Sequence, residues 1–374
     1  MTTSRRLLVI SFFIAFAVSL APAARAVPMW SRRYSVPCST CHAYPSLQLT
    51  ATGLDFLRKG HRFDSDTFDK DFTHLLSAHI ETEYDIAQGT PTQFSSPEFH
   101  FHAGGALSEN FSAYADTMPD GEVESLYLQA TKVMNKDGFV TGRAGKISPS
   151  IIRNYGNGLL ASFSTPMILT DTTLGLNPFT PGRDSYGLSA AGGWKSLFAE
   201  AGVVNGDDIP GQVAVNRHKD TYASAEWSLP DGISGIGLYT YRGGYDITDP
   251  SVDAFDRYNR NAVFANFTRD KFRIAGAYVV GKDTIENQPQ GKIRGYYVQG
   301  DLRPSGKLVP FARWEATRTD TGSEVDNQKK GTLGVAVSAY ENDVSAARIV
   351  FEGARTTDSG GHRNSALIGL LLAF

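Results

Sequence analysis

The segment Ala78-His79-Ile80-Glu81-Thr82-Glu83-Tyr84-Asp85-Ile86 places a charged or imidazole side chain at almost every second position. Successive side chains of a β-strand point to opposite faces, so this pattern predicts a strand with one polar and one mostly apolar face. The next segment repeats it, with Phe99 and Phe101 between polar neighbours. The polar positions of the two segments are His79, Glu81, Glu83, Asp85, Glu98, His100 and His102. We predict that these side chains share the inner face of a closed sheet, where they are candidate ligands for a metal or another cation.

Alternating segments of roughly ten residues continue to the end of the chain, and such segments are typical of transmembrane β-barrels. The pattern predicts about sixteen strands, at 73–87, 96–108, 111–118, 122–134, 138–147, 184–193, 196–205, 219–229, 234–243, 257–269, 271–281, 292–302, 307–317, 330–341, 344–355 and 363–374. Connections after the even-numbered segments are short, and most others are longer. This layout favours a closed outer-membrane barrel with both termini on the short-turn, periplasmic side over a β-sandwich. The fold class is therefore all-β and antiparallel.

The last strand and one long connection add detail to this barrel. Ile368, Leu370, Leu372 and Phe374 share one parity and are expected to face lipid, and the terminal aromatic resembles an assembly signal of outer-membrane barrels. The connection 148–183 is much longer than its neighbours and contains several apolar residues. Because a long apolar surface loop is unusual, we expect it to fold into or over the pore.

The beginning of the chain predicts export. Arg5 and Arg6 precede an apolar stretch and an Ala24-Arg25-Ala26 cleavage site, so residues 1–26 are expected to be a signal peptide. No other stretch approaches the ~18 consecutive apolar residues of a transmembrane helix. The net charge of −3 at pH 7 says little about partners, while 37 glycines and 38 tyrosines and phenylalanines suit a large β-protein.

The motif Cys38-Ser39-Thr40-Cys41-His42 lies between the signal and the strands and contains both cysteines of the chain. C-x-x-C-H is the attachment pattern of a c-type haem, in which the two thiols bind the haem covalently and the histidine is the proximal iron ligand. A redox dithiol would need a βαβ context, and a zinc site would need two more nearby Cys or His ligands. The adjacent histidine favours one covalent haem.

Residues 27–72 form the predicted haem segment, which is small for an independent domain and is expected to plug the barrel. Leu54, Phe56 and Phe63 are candidates to pack against the haem. The sequence does not decide which residue is the distal iron ligand. His61, which follows a predicted helix over 52–59, is the first candidate, Met29 is the second, and a histidine of the lumen or an open site are the alternatives. Residues 73–374 form the barrel.

The haem segment resembles that of the fused cytochrome–porins, outer-membrane monohaem cytochromes that include bacterial Fe(II) oxidases. The resemblance is carried by Ala26, Pro28, an aromatic side chain at Trp30, Arg32, Cys38, Cys41, His42, Pro45, Leu47, Gly53, Phe56 and Gly60. The chain departs from the family pattern in its shorter length, in Trp30 where a phenylalanine is expected, and in His61 where an aromatic is expected. The resemblance therefore supports the predicted architecture more directly than it supports Fe(II) as the substrate.

These features together predict an electron conduit in the outer membrane. Single electrons would pass between an extracellular donor, with Fe(II) as first candidate, and a periplasmic c-type cytochrome, which would make the protein an Fe(II):cytochrome c oxidoreductase. The reverse direction, export of electrons to an extracellular acceptor, would use the same haem and barrel. The alternatives are a substrate-specific porin whose haem segment is structural or gates the pore, and a haem sensor or peroxidase-like enzyme. The expected surroundings are outer-membrane lipid, and no nucleic-acid partner is expected.

Overall fold

The computed structural model describes most of the chain after the predicted signal. The described residues are 29–43, 46, 48–63, 69–89, 91–135, 138–149, 160–170, 184–206, 218–249, 252–285, 290–322, 324–341 and 345–374. The predicted signal peptide and four residues that carry the family resemblance, Ala26, Pro28, Pro45 and Leu47, lie outside this range. Among the described residues, no helix is long and apolar enough to cross a membrane.

Strands dominate the structure, as the alternating sequence predicts. They are β1 Leu76–Ala87, β2 Gln93–Phe94, β3 Glu98–Ala106, β4 Phe111–Thr117, β5 Val123–Asn135, β6 Gly138–Ile147, β7 Ser185–Trp194, β8 Leu197–Val204, β9 Asp220–Ser228, β10 Gly235–Asp249, β11 Val252–Arg269, β12 Phe272–Ile285, β13 Gly291–Leu302, β14 Leu308–Asp320, β15 Val325–Glu341, β16 Ala346–Asp358 and β17 Gly361–Ala373. The two-residue β2 is an addition to the rim beside β1. The other sixteen strands match the sixteen predicted segments.

The sheet closes into a barrel because the first strand pairs with the last. His79 lies opposite Ala373 in the antiparallel β1–β17 ladder, and Ala78 and Phe374 exchange two backbone hydrogen bonds. Each remaining barrel strand pairs antiparallel with its sequence neighbours, and β1 and β3 pair directly. Among the described residues, closure leaves no unpaired edge in the sixteen-stranded wall, which is what a strand structure needs within hydrocarbon. The predicted all-β, sixteen-stranded antiparallel barrel is confirmed.

The connections divide the barrel into two ends. At the short-turn end, where β1 begins and β17 ends, the strands are joined by tight turns such as 195–196 and 270–271. The opposite, long-loop end carries the connection 148–184. Two loops are shorter than predicted: β10 and β11 pair up to Asp249 and Val252, and β14 and β15 pair up to Asp320 and Val325, because each backbone ladder continues past the predicted strand ends.

The two faces of the barrel wall differ as strand parity predicts. Phe272 and Ile274 are 48% and 41% exposed on the outside, whereas Arg273 between them is fully buried on the inside. The same holds on β16, where Arg348 is buried and Phe351 is 45% exposed. An apolar outer surface and a charged interior are stable together only when lipid, rather than water, covers the outside.

The N-terminal segment lies across the short-turn end, inside the wall. It contains helices α1 Met29–Tyr34 and α2 Ala51–Arg58, the second one residue earlier than predicted. Arg62 donates to backbone carbonyls of the β3–β4 turn, Arg58 pairs with Glu226 of β9 at 3.0 Å, and Gln48 accepts from Arg303 in the β13–β14 turn. These three anchors lie on separate parts of the barrel circumference, so the segment spans the mouth.

Part of the long connection also lies inside the barrel. Its described residues, 160–170, include the short helix α3 Met167–Thr170. Glu352 of β16 accepts hydrogen bonds from the backbone of Phe163 and Ser164, and Arg348 donates to the carbonyl oxygens of residues 160–162. Ala161 and Ile168 are fully buried against the wall. We call residues 160–170 the pore loop.

Candidate functional site

The two cysteines lie on one tight turn. Residues Cys38–Thr40 form a single 3₁₀ turn after Pro37, and the backbone N–H groups of Cys41 and His42 both donate to the Cys38 carbonyl, at 3.1 and 2.9 Å. Both thiols are half-buried and are not joined by a disulfide. Burial, followed by the neighbouring Cys38, raises the pKa of Cys41 to about 11. The motif thus presents two thiols and an imidazole from one compact turn.

Helix α2 holds this turn in place. Thr50 caps the helix by accepting from the Gly53 N–H at 3.1 Å, and its hydroxyl donates to the Thr40 carbonyl at 2.6 Å. The Thr50 N–H donates to the Cys41 carbonyl at 2.9 Å. A Cβ on Gly53 would lie 2.1 Å from the same carbonyl oxygen, so only glycine allows this approach. The attachment motif and the helix therefore form one unit.

Two of the predicted packing residues, Phe56 and Phe63, belong to an aromatic cluster in the segment, and the third, Leu54, is buried on the same helix as Phe56. Leu54 and Phe56 are 7% and 3% exposed, and Phe63 is half-buried. The Phe56 and Phe63 ring centroids are 4.8 Å apart, and Trp30 meets Phe56 edge-on at 5.3 Å. This cluster provides apolar cover next to the attachment turn.

Both candidate distal ligands are buried, and His61 lies in this cluster. Met29 is 1% exposed and His61 is 3% exposed, with its ring stacked on Trp30 at 4.4 Å. The His61 Nδ1 atom is buried without a hydrogen-bond partner among the described residues. Burial, followed by the charges of Arg143 and Arg62, lowers the pKa of His61 to about 3, which keeps its imidazole neutral. Neutral imidazole is the form that binds metals.

These observations fit a covalent haem. Cys38 and Cys41 would hold it, His42 would be the proximal ligand, and the lone buried nitrogen of His61 offers a distal ligand beside aromatic cover. The haem, its packing residues and the choice between His61 and Met29 stay predictions.

A second cluster lies on the inner face of β1, β3, β4 and β5, and we call it the luminal histidine cluster. It consists of His79, His100, His102, Asp116 and Glu124. The Nδ1 atom of His79 lies 2.6 Å from Nε2 of His102, and the rings of His79 and His100 stack at 4.2 Å. His100 Nδ1 lies 3.2 Å from Asp116 and 3.8 Å from Glu124. Nitrogen and carboxylate oxygen atoms thus converge on one small volume.

Of the remaining predicted lumen residues, two border this cluster and two lie outside it. Glu81 lies beside it, 3.5 Å from His79 Nε2, and Glu98 lies at its edge, 3.9 Å from His100 Nε2. Glu83 and Asp85 lie further along β1, next to β2, outside the cluster. Of the seven predicted side chains, the three histidines are brought into direct contact.

Two members of the cluster were missing from the sequence prediction. Asp116 follows the parity of Ser112 and Tyr114 along β4, so the alternation could have indicated it. Glu124 has the opposite parity to the buried Tyr127 and Gln129 of β5. A β-bulge explains its position: Asp116 pairs with Ser125 and Thr117 pairs with Val123, which leaves Glu124 as the extra residue. A bulge redirects a side chain, and here it brings Glu124 to the inner face.

Tyr114 connects the two sites. Its hydroxyl lies 2.9 Å from His102 Nδ1, and its ring centroid lies 5.1 Å from that of His61. One side chain of the wall therefore touches both the luminal histidine cluster and the N-terminal segment.

Solved structures show what this barrel is similar to. The anion-selective porin from Comamonas acidovorans aligns over 80% of this chain and 98% of its own, with a TM-score of 0.60 and 10% identity. OmpT of Vibrio cholerae aligns over 80% and 97%, with a TM-score of 0.57 and 14% identity. The outer-membrane channel DcaP of Acinetobacter baumannii aligns over 80% and 96%, with a TM-score of 0.56 and 9% identity. At these identities the likeness shows the fold, which is a porin-like barrel.

No protein-family model matches the chain, and a search of curated proteins finds no matching sequence.

Proposed function

We propose that this protein is an electron conduit of the outer membrane, which passes single electrons between an extracellular donor and a periplasmic c-type cytochrome. Fe(II) is the first candidate donor, so the reaction class is Fe(II):cytochrome c oxidoreductase. A haem bound to Cys38 and Cys41 would supply the one-electron centre. The barrel supplies the passage through the lipid, with both termini in the periplasm.

One observation carries this proposal: a Cys-x-x-Cys-His turn is anchored inside the mouth of a closed porin-like barrel. The hydrocarbon core of a membrane is ~30 Å thick, so a redox centre hanging free in the periplasm would be remote from an external donor. Here the anchors from Arg58 and Arg62 to the wall hold the segment within the barrel at the short-turn end. A periplasmic partner would meet the segment from one side and an external donor would approach through the lumen.

The test is the reaction of the full-length, detergent-purified holoprotein with Fe(II), followed by stopped-flow absorbance. The expected result is prompt appearance of reduced-haem bands, with a rate that saturates as Fe(II) increases. Haem that is reduced by dithionite but ignores Fe(II) would remove iron as the donor. Absence of covalent haem after expression with the c-type maturation machinery would overturn the conduit itself.

A substrate-specific porin is the second candidate, because the barrel has the fold of porins and the pore loop narrows its interior. In that case the N-terminal segment is structural or gates the pore by its redox state. Reconstituted protein would then show solute flux that changes on haem oxidation, and its haem would not mediate electron transfer across the vesicle membrane. The conduit predicts transmembrane electron transfer whatever the solute flux.

The distal ligand gives a separate prediction. If His61 binds the iron, His61→Ala should change the oxidised haem from low-spin to high-spin, since one strong axial ligand is lost. Met29→Leu, which keeps the volume of an equally buried side chain, is the matched control and should leave the spin state unchanged. Visible absorbance and electron paramagnetic resonance spectra would show the difference. The reverse pattern would assign Met29, and two unchanged spectra would exclude both residues.

A further inference from the structure

The luminal histidine cluster has the composition of a transition-metal site. Imidazole nitrogen suits iron, zinc, copper and nickel, and carboxylate oxygen suits harder ions, so a mixed set favours a borderline divalent ion such as Fe(II). The potential ligand atoms of His100, Asp116 and Glu124 all lie within 4.8 Å of one another. Two ligands with bonds of ~2.1 Å can be at most ~4.2 Å apart, so the set needs to close by only about half an ångström.

His102 borders this set and contacts Asp116. The second carboxylate oxygen of Asp116 lies 3.5 Å from His102 Nδ1, while its first lies 3.2 Å from His100 Nδ1. Asp116 therefore sits between two imidazoles, and His102 Nδ1 also lies 2.9 Å from the Tyr114 hydroxyl, so His102 positions the carboxylate rather than adding a ligand atom. The stacked His79 holds His102 from behind through the 2.6 Å contact between their ring nitrogens.

We propose that His100, Asp116 and Glu124 bind one divalent first-row transition-metal ion, of which Fe(II) is the natural example, in the wall of the barrel lumen, with His102 orienting Asp116. The site opens towards the long-loop end. Both β3 and β5 begin at that end, and the side chains of Glu98 and Glu124 are 60% and 39% exposed there. The side chains of His100 and Asp116 are 4% and 12% exposed. Exposed carboxylates on the long-loop side of the buried ligands would attract a cation from outside and pass it to those ligands.

The position also gives the ion a role in the proposed conduit. Tyr114 touches His102 on one side and His61 on the other, so the site borders the N-terminal segment. The bound Fe(II) would lose one electron to the centre held by Cys38 and Cys41, which is reduced by that electron, and would leave as Fe(III). No atom is transferred. This role rests on the proposed function, whereas the affinity of the three ligand side chains for a metal does not.

The binding test uses Co(II), which keeps its oxidation state, in equilibrium dialysis against the detergent-purified full chain, with bound cobalt counted by mass spectrometry. One ion per chain is expected. Asp116→Asn should weaken cobalt binding at least tenfold. Glu124→Gln should also weaken it, but by less, because Glu124 is the more exposed ligand. Glu122→Gln is the matched control, since Glu122 is an exposed carboxylate two residues away and outside the cluster. Heat-modifiable mobility on gels confirms that each barrel has folded.

Wild-type protein without stoichiometric cobalt, or equal affinity in all three folded variants, would overturn the metal site even if Fe(II) reduces the haem. Stoichiometric cobalt in a chain that carries no haem would support the site and overturn the conduit. With haem present, Asp116→Asn should also raise the half-saturating Fe(II) concentration in the stopped-flow reaction at least tenfold.

Discussion

Replacing Cys38 and Cys41 together by serine is expected to abolish covalent haem while the barrel still assembles. The two thiols are the only ones in the chain, and serine cannot form the thioether bonds. The sheet should persist because its closure depends on the β1–β17 ladder rather than on the attachment turn. The measurements are haem-stained gels, mass spectrometry of the intact chain and heat-modifiable mobility.

The matched control is Ser39→Ala, which changes an exposed residue of the same turn and keeps both thiols and His42. Its haem content should equal that of the wild type. Equal mass and equal haem staining in the double variant would refute the attachment site. Complete failure of the double variant to fold would instead mean that the N-terminal segment is required for assembly of the barrel.

Replacing Arg313 by leucine is expected to destabilise the protein and open the pore. The Arg313 guanidinium donates to Ser162 and Ser164 of the pore loop at 2.6–2.8 Å and to Glu315 at 3.1 Å. The side chains of Arg313 and Glu315 are fully buried. Without Arg313, the buried Glu315 carboxylate keeps the hydrogen bond from the Met167 N–H at 2.7 Å but loses its ion-pair partner, and breaking a buried ion pair in this way costs about 3–5 kcal/mol. The free energy of unfolding in urea should fall by that order.

The same substitution should raise the single-channel conductance in planar bilayers, because the pore loop loses its main attachment to β14. Arg318→Leu is the control on the same strand: its side chain is 41% exposed and lies 4.0 Å from Asp320. Exposed pairs of this kind contribute about 0–1 kcal/mol, so stability and conductance should change little. Equal conductance in both variants would show that the pore loop is held by its other contacts, to Arg348 and Glu352.

The barrel could be predicted from the sequence because the pattern that identifies each strand lies within a short segment. Alternation with period two identifies each strand and its inner face, and closure follows from an even number of antiparallel strands with short turns. Residues such as Arg273 and Phe272 therefore lie on the predicted faces. The predicted ends of β10 and β11 were wrong because these strands keep pairing with each other past the ends of their ladders with β9 and β12, so the pairing sets the length of the hairpin.

The candidate sites could be predicted only in part. His79, His100 and His102 were found because they share a parity on two strands that are neighbours in sequence. Asp116 was overlooked although its parity was visible, and Glu124 could not be found, because a bulge reverses its side. A bulge depends on how two strands pair rather than on the residues of one strand.

The sequence by itself determined the closed sheet, its polar interior and the Cys-x-x-Cys-His turn, since period-two alternation and motif spacing are properties of short segments. Only the tertiary structure decided which side chains meet across the lumen: Tyr114 between His61 and His102, Arg58 with Glu226, and Arg313 with the pore loop. These contacts join residues up to 168 positions apart. They depend on strand register, bulges and the path of the N-terminal segment, which are set when the whole barrel closes.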